Sequence, residues 1–262
     1  MAEQQEGTAQ EMASDMSEIH ACMDVMPPVN LQNEVKRVAV EENPANGEET
    51  VDPQTGTRAF VVVSKLWKPG RTLRVRFLGG TSAVQQKVKQ YASEWSKHTS
   101  LKFDFGDHAN AEIRIAFVKD GSWSYIGTDC LVIAKDNPTM NYGWFDKPVS
   151  EDEYSRVIIH EFGHAIGMPH EHNTPAVDIP WNRDAVYRYY MNPPNNWSKA
   201  QVDNNLFSKY SKTQTRYSSF DKNSIMLYPI PKQFVTDPNF AVSWSNTKLS
   251  DTDKAFMRKV YP

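Results

Sequence analysis

Apolar and polar side chains alternate in residues 71–77, where Leu73, Val75 and Phe77 are separated by Arg74 and Arg76. A period of two puts successive side chains on opposite faces, and predicts a half-buried strand that stops at Gly79-Gly80. The period then lengthens. Val84, Val88, Tyr91, Ala92 and Trp95 recur at helical spacing, so 82–97 is expected to form a helix with that face against a sheet. Alternation returns at Leu101, Phe103 and Phe105, and again at Ile113, Ile115 and Phe117, predicting two more strands. The runs 130–134 (CLVIA) and 139–145 (TMNYGWF) read as a further pair around a Pro-containing turn. Strand, helix, strand, strand is the order of an α/β lobe with a mixed sheet.

The next element begins at Ser150. With Glu153 three residues on, it fits a capping box, and the helix should run through Val157, Ile158 and Ile159 into His160 and stop at Gly167. The remaining 90 or so residues are rich in Tyr, Trp, Asn and Pro, with weaker periodicity. Short helices are expected at 183–190, 200–207 and 251–260, joined by long loops in a second, irregular lobe. Upstream, 31–42 reads as one short amphipathic helix closed by Asn43-Pro44-Ala45-Asn46-Gly47, inside a leader of otherwise weak periodicity.

Charge separates that leader from the rest. Residues 1–60 carry 12 acidic and 3 basic residues, a balance of −9; the other 20 acidic and 26 basic residues give +6. The basic residues are scattered and form no nucleic-acid signature. No apolar run approaches the roughly 20 residues that span a bilayer, and the polar, acidic N-terminus lacks the basic start and apolar stretch of a secretory signal. On that reading the protein stays in the cytoplasm, leaves by a non-classical route, or is preceded by a further segment. Cys22 and Cys130 are the only cysteines, enough for one bridge that nothing requires.

The chemistry concentrates in His160-Glu161-Phe162-Gly163-His164-Ala165-Ile166-Gly167-Met168-Pro169-His170. Histidines four apart on a helix lie one turn above the other, so both rings reach one ion. Gly167 allows a sharp turn, after which His170 approaches the same ion. Three neutral imidazoles leave a fourth position for water, the arrangement of a single catalytic Zn²⁺, with Glu161 beside it as general base. The five fixed positions would arise by accident in roughly one chain in 10^5. His172 is the rival third ligand, but the Gly167 spacing favours His170 and leaves His172 as a loop histidine or a neighbour of the ligands. His20, His98 and His108 have no spacing partner and are expected to face solvent.

These residues resemble the elongated motif of metzincin metalloproteases, as does the Met-turn Ser224-Ile225-Met226-Leu227-Tyr228. Glu171 directly after the third histidine, and Tyr228 two residues after Met226, make the chain most similar to the astacin group, over roughly 66–262. The resemblance implies an α+β, two-lobed fold. A twisted mixed sheet and two long helices form the upper lobe (61–167), and the lower lobe (168–262) is irregular. It places Met226 as a hydrophobic floor under the metal, and Tyr228 as a labile fifth ligand or an oxyanion donor. Leu227 departs from the histidine usual there, and two cysteines cannot form the disulfides of secreted astacins. In astacins the residue corresponding to Glu171 pairs with the new N-terminus after pro-segment removal; by similarity that terminus falls near 58–60.

The expected function is zinc-dependent endopeptidase action on internal peptide bonds, with a polypeptide substrate and neither nucleic acid nor membrane as partner. A non-catalytic zinc-binding module, or a zinc hydrolase of a non-peptide amide, are the alternatives. Substrate is expected to lie along a sheet edge at 130–134, with a specificity pocket around 229–234. The leader can serve as a latch, because either the Cys22 thiolate or Asp24 could occupy the water position. Cys130 reads as a buried strand residue.

Overall fold

The computed structural model describes residues 22–47, 61–193, 195–212, 215–217, 219–242 and 246–262. After Val61–Val62 (β1), five strands build the main sheet: β2 (Thr72–Phe77), β3 (Lys102–Phe105), β4 (Ile113–Ala116), β5 (Trp123–Ser124) and β6 (Met140–Asn141). Their order is β3-β2-β4-β6-β5, parallel except for β5 against β6, so the sheet is mixed and β5 forms one edge. Upstream, α1 (Gln32–Glu42) occupies the predicted leader helix. Helices α2 (Ser82–Ser96) and α3 (Glu151–Ala165) pack together beside the sheet. The predicted face of α2 is the buried one: Val84, Val88, Ala92 and Trp95 reach the core, and Trp95 Nε1 donates to Ile159 O of α3 at 2.8 Å.

The run 130–134 is not a strand. Residues Gly127–Val132 form a 3₁₀ coil, and Cys130 is buried on that coil with a free thiol. The run is apolar because it is buried, but its backbone bonds locally instead of in a ladder. Ile133 N–H returns to Cys130 O, and the buried Arg114 guanidinium takes the Ile133 and Ala134 carbonyls at 3.0 and 3.2 Å. The edge expected there therefore belongs to β5. Of 139–145 only Met140–Asn141 pairs as strand.

Part of the acidic leader is built into the fold. The Asn46 side chain donates to Leu66 O at 2.8 Å and accepts from Leu66 N–H at 3.0 Å, and Asn43 Nδ2 donates to Trp67 O at 3.2 Å.

Beyond α3, helices α4 (Arg183–Tyr190) and α6 (Asp251–Val260) fall where the periodicity places them. The helix expected at 200–207 divides into α5 (Lys199–Val202) and a π-helical turn, Asp203–Phe207. A short strand β7 (Thr215–Arg216) pairs antiparallel with β1. A second apolar cluster, including Val186, Tyr190, Leu206, Ile230 and Phe234, lies apart from the main core of Trp67, Trp95, Phe162 and Met226. His98 and His108 are half-buried rather than solvent-facing, the first 2.8 Å from Arg258 Nη2 and the second 3.1 Å from Asp104 Oδ2. His20 lies outside the described residues.

Candidate metal centre

Both ends of α3 are fixed. Ser150 Oγ accepts Glu153 N–H at 3.2 Å, and three carboxylates in the first turn suit the positive end of the helix dipole. Only this half of the expected capping box forms, because the Glu153 carboxylate turns to Arg156 and Trp144 Nε1. At the other end Gly167 N–H bonds His164 O (2.9 Å) and Met168 N–H bonds Gly163 O (3.0 Å), a Schellman closure that puts residue 167 at φ 102°. The remaining carbonyls of that end are taken from outside the helix: Ala165 O by Trp67 Nε1 (2.8 Å), Ile166 O by Tyr261 OH (2.8 Å) and Gly167 O by Val62 N–H (3.1 Å). The turn so held swings His170 back toward His160 and His164.

Their Nε2 atoms converge, His164 lying 3.1 Å from His160 and 3.2 Å from His170. His160 Nδ1 lies 2.8 Å from Ile225 O and His164 Nδ1 lies 2.7 Å from Met168 O; a carbonyl only accepts, so the proton sits on Nδ1 and the Nε2 lone pairs face one another. His170 Nδ1 faces Asp24 Oδ1 at 2.9 Å, within ion-pair reach but off the hydrogen-bond line. Burial, with repulsion from neighbouring histidines (His172 in the case of His170), holds all three rings below the ordinary histidine range, His164 at about 3. Neutral nitrogens this close repel unless a cation joins them.

Cys22 supplies a fourth donor. Its Sγ lies 3.5 Å from His164 Nε2, and donor atoms of Cys22, His160, His164 and His170 all lie within 4.8 Å of one another. A set of three nitrogens and one sulfur is a zinc donor set. The thiol also donates to Glu161 Oε2 at 3.3 Å, while Glu161 Oε1 is buried with no hydrogen-bond partner among the described residues. Burial pushes the Glu161 carboxyl up to about 8. The Tyr228 hydroxyl donates to the Cys22 carbonyl, and Met23 N–H donates to Ser122 O beside β5 at 3.0 Å. The leader thus lies parallel to the sheet edge, across the histidines.

Beneath them Met226 is fully buried against Gly163. Its turn is anchored by Asp253 of α6, which accepts Ser224 Oγ at 2.8 Å and Ile225 N–H at 2.9 Å. Asp253 was not apparent from the motif, although Ser250 three residues earlier carries a capping-box signal that points to it. Glu171 is buried; Oε1 accepts Asp221 N–H at 3.0 Å and Oε2 has no hydrogen-bond partner among the described residues. Positions 58–60 lie outside the described residues. His172 stays out of the converging set: its Nε2 donates to Asn205 O at 2.8 Å, and its ring stacks on Tyr228 with centroids 4.8 Å apart.

Residues 61–261 match the family model for Astacin (Peptidase family M12A). The chain belongs to the astacin family. Among solved structures, this astacin is similar to myroilysin, 49% identical with a TM-score of 0.75 over 78% of this chain and 98% of that one. A second myroilysin structure is 41% identical, with a TM-score of 0.60 over 92% of this chain and 100% of the other. High choriolytic enzyme 1, a hatching enzyme zinc-protease of Oryzias latipes, shares the fold alone, at 17% identity and a TM-score of 0.50 over 76% of this chain and 94% of that one. In sequence the astacin is similar to zinc metalloproteinase dpy-31 of Teladorsagia circumcincta (27% identical over 208 residues, 74% of this chain) and of Caenorhabditis elegans (26% over 208 residues, also 74%). The chain spans 31% and 32% of those two proteins' lengths.

Proposed function

We propose that this astacin is a zinc-dependent endopeptidase, that His160, His164 and His170 hold the metal, and that residues 22–24 keep it latent. The observation that carries the reading is the convergence of three buried imidazole Nε2 atoms beside a buried carboxylate oxygen that has no hydrogen-bond partner among the described residues. Bound there, Zn²⁺ would supply Lewis acidity and bring the pKa of water near 7.

The chain's own groups carry the proton chemistry. Glu161 is buried beside the converging histidines, and burial raises its carboxyl above the ordinary range, which makes it a stronger acceptor for a proton. It takes one from the attacking water and delivers it to the leaving nitrogen. The Tyr228 hydroxyl hydrogen-bonds the Cys22 carbonyl now, and would donate to the oxygen of a scissile peptide as negative charge builds there. β5 offers an edge along which an extended polypeptide can add as a strand.

The latch reading rests on two residues acting together. Cys22 Sγ lies within 4.8 Å of the donor nitrogens of the three histidines, where it could serve as a fourth donor, and Asp24 faces His170 at 2.9 Å. Glu161→Gln tests the enzymatic reading: the variant should take up one zinc per chain yet lose hydrolysis of casein by about 10²- to 10⁴-fold. Full activity without that carboxylate would refute it.

A further inference from the structure

The leader shows how the cleft holds polypeptide backbone, and one of its partners has no role in the metal chemistry. Asn205 lies in the π-helical turn Asp203–Phe207, on the side of the cleft opposite β5, with 4% of its surface exposed. Such turns place an extra residue in a helical coil, and are common at functional positions. Here the turn presents an amide to the leader. Nδ2 donates to Gln201 O at 2.8 Å, which fixes the side-chain orientation; Oδ1 accepts Asp24 N–H at 2.7 Å. The Asn205 carbonyl accepts His172 Nε2 at 2.8 Å, tying the turn to the ring that stacks on Tyr228.

Besides the side-chain contacts of Cys22 and Asp24, three consecutive leader residues are each gripped through the backbone. The Cys22 carbonyl meets Tyr228, Met23 N–H meets Ser122 O, and Asp24 N–H meets Asn205 Oδ1. None of these contacts reads a side chain. Cavities of about 240 and 400 Å³ lie beside this segment, both lined by leader residues 24–26 and by Asn204, and Asn205 itself lines the larger. The grip is thus a narrow point between spaces that could admit side chains.

We propose that Asn205 Oδ1 is a general binding point for polypeptide backbone. It would accept the N–H of a residue about 7 Å along an extended chain from the one at the metal, at about 3.3 Å per residue. The leader uses this point for latency and a substrate uses it for alignment. The inference rests on the endopeptidase reading, and deepens it by naming a substrate contact on the cleft wall facing β5.

The test is Asn205→Ala in the zinc-loaded full chain. First, Cys22 and Cys130 are labelled with a thiol reagent and their rates read separately by peptide mass spectrometry. Loss of one hydrogen bond should speed Cys22 labelling about five- to ten-fold and leave Cys130 unchanged. Second, an internally quenched peptide spanning a casein cleavage site is assayed in a Cys22→Ala, Asp24→Pro background, whose leader has no N–H to offer Asn205 at position 24. There Asn205→Ala should raise KM by a similar factor and change kcat less. Unchanged Cys22 labelling, or an unchanged KM, overturns the proposal. So does acceleration of both thiols in step, which would make Asn205 a general structural residue. If the zinc-loaded Cys22→Ala, Asp24→Pro protein hydrolyses nothing, the endopeptidase reading fails, while the labelling rates still decide whether Asn205 grips backbone.

Discussion

Gly163 makes room for the Met226 sulfur: a Cβ on residue 163 would lie 2.3 Å from Sδ. Residue 163 sits between two of the converging histidines on α3, and Met226 is fully buried below. The same turn offers Ile225 O to His160 Nδ1, so its position and the ring orientation are coupled. Gly163→Ala should gain up to about 1 kcal/mol of helix propensity but lose about 1–3 kcal/mol to overpacking. A lower midpoint in urea unfolding, together with weaker zinc binding in a chelator competition, is the expected outcome. An alanine variant that matches its parent in both would show that the floor can yield.

Cys22→Ala removes a donor from the metal centre and leaves Asp24 and the leader backbone in place. The uncleaved full chain should then hydrolyse casein at least ten-fold faster than its parent, because the fourth position opens to water. Asp24→Asn should raise activity less, because Asp24 faces His170 without entering the converging set. Equal activity of the parent and the Cys22 variant would remove the thiol as a latch.

How much of this was legible from sequence follows from where the signals lie. His160, Glu161, His164, Gly167 and His170 occur within eleven residues, and helical geometry alone brings them together. Helices α2, α4 and α6 could be read because each buries one face at a period near 3.6. The run 130–134 misled because burial makes any segment apolar, and the Arg114 side chain that captures its carbonyls cannot be seen in a local window. The outer parts of the site come from distant segments. Trp67, Tyr261 and Asp253 support α3 and the Met-turn across the fold, and Asn205 belongs to a turn whose π geometry has no sequence period. The leader reading named Cys22 and Asp24 from thiolate and carboxylate chemistry; that both reach the histidines depends on a path along β5 that no spacing encodes.

Tyr228→Phe separates a donor role from a ligand role. The ring packs against both His170 and His172, with centroid separations of 4.2 and 4.8 Å, so phenylalanine should keep that packing and lose only the hydroxyl. In the Cys22→Ala background kcat should fall about 10²- to 10³-fold, as for removal of one oxyanion donor, with KM moving less and zinc content unchanged. Loss of zinc from the variant would instead make the phenol a structural ligand.

Asp253 should leave a signature in the pH dependence of stability. It is buried and accepts Ser224 Oγ, Ile225 N–H and Ser250 N–H. Burial pushes its carboxyl up from 3.8 to about 6, against the pull of those donors. Between these values the folded chain keeps a proton that the unfolded chain has released. This group therefore stabilises the fold most below pH 4, and its contribution falls as pH rises through 6. A shift of that size corresponds to a loss on the order of 3 kcal/mol by pH 7. Asp253→Asn cannot titrate, so this part of the slope should vanish, although the variant will be less stable overall because an amide cannot accept at both positions. Urea unfolding of both proteins at pH 4 and pH 7 isolates the effect, since contributions common to both cancel. The parent should lose about 2–3 kcal/mol more than the variant between the two pH values. Equal losses would mean that the three donors outweigh burial, and that Asp253 is already ionised at the lower pH.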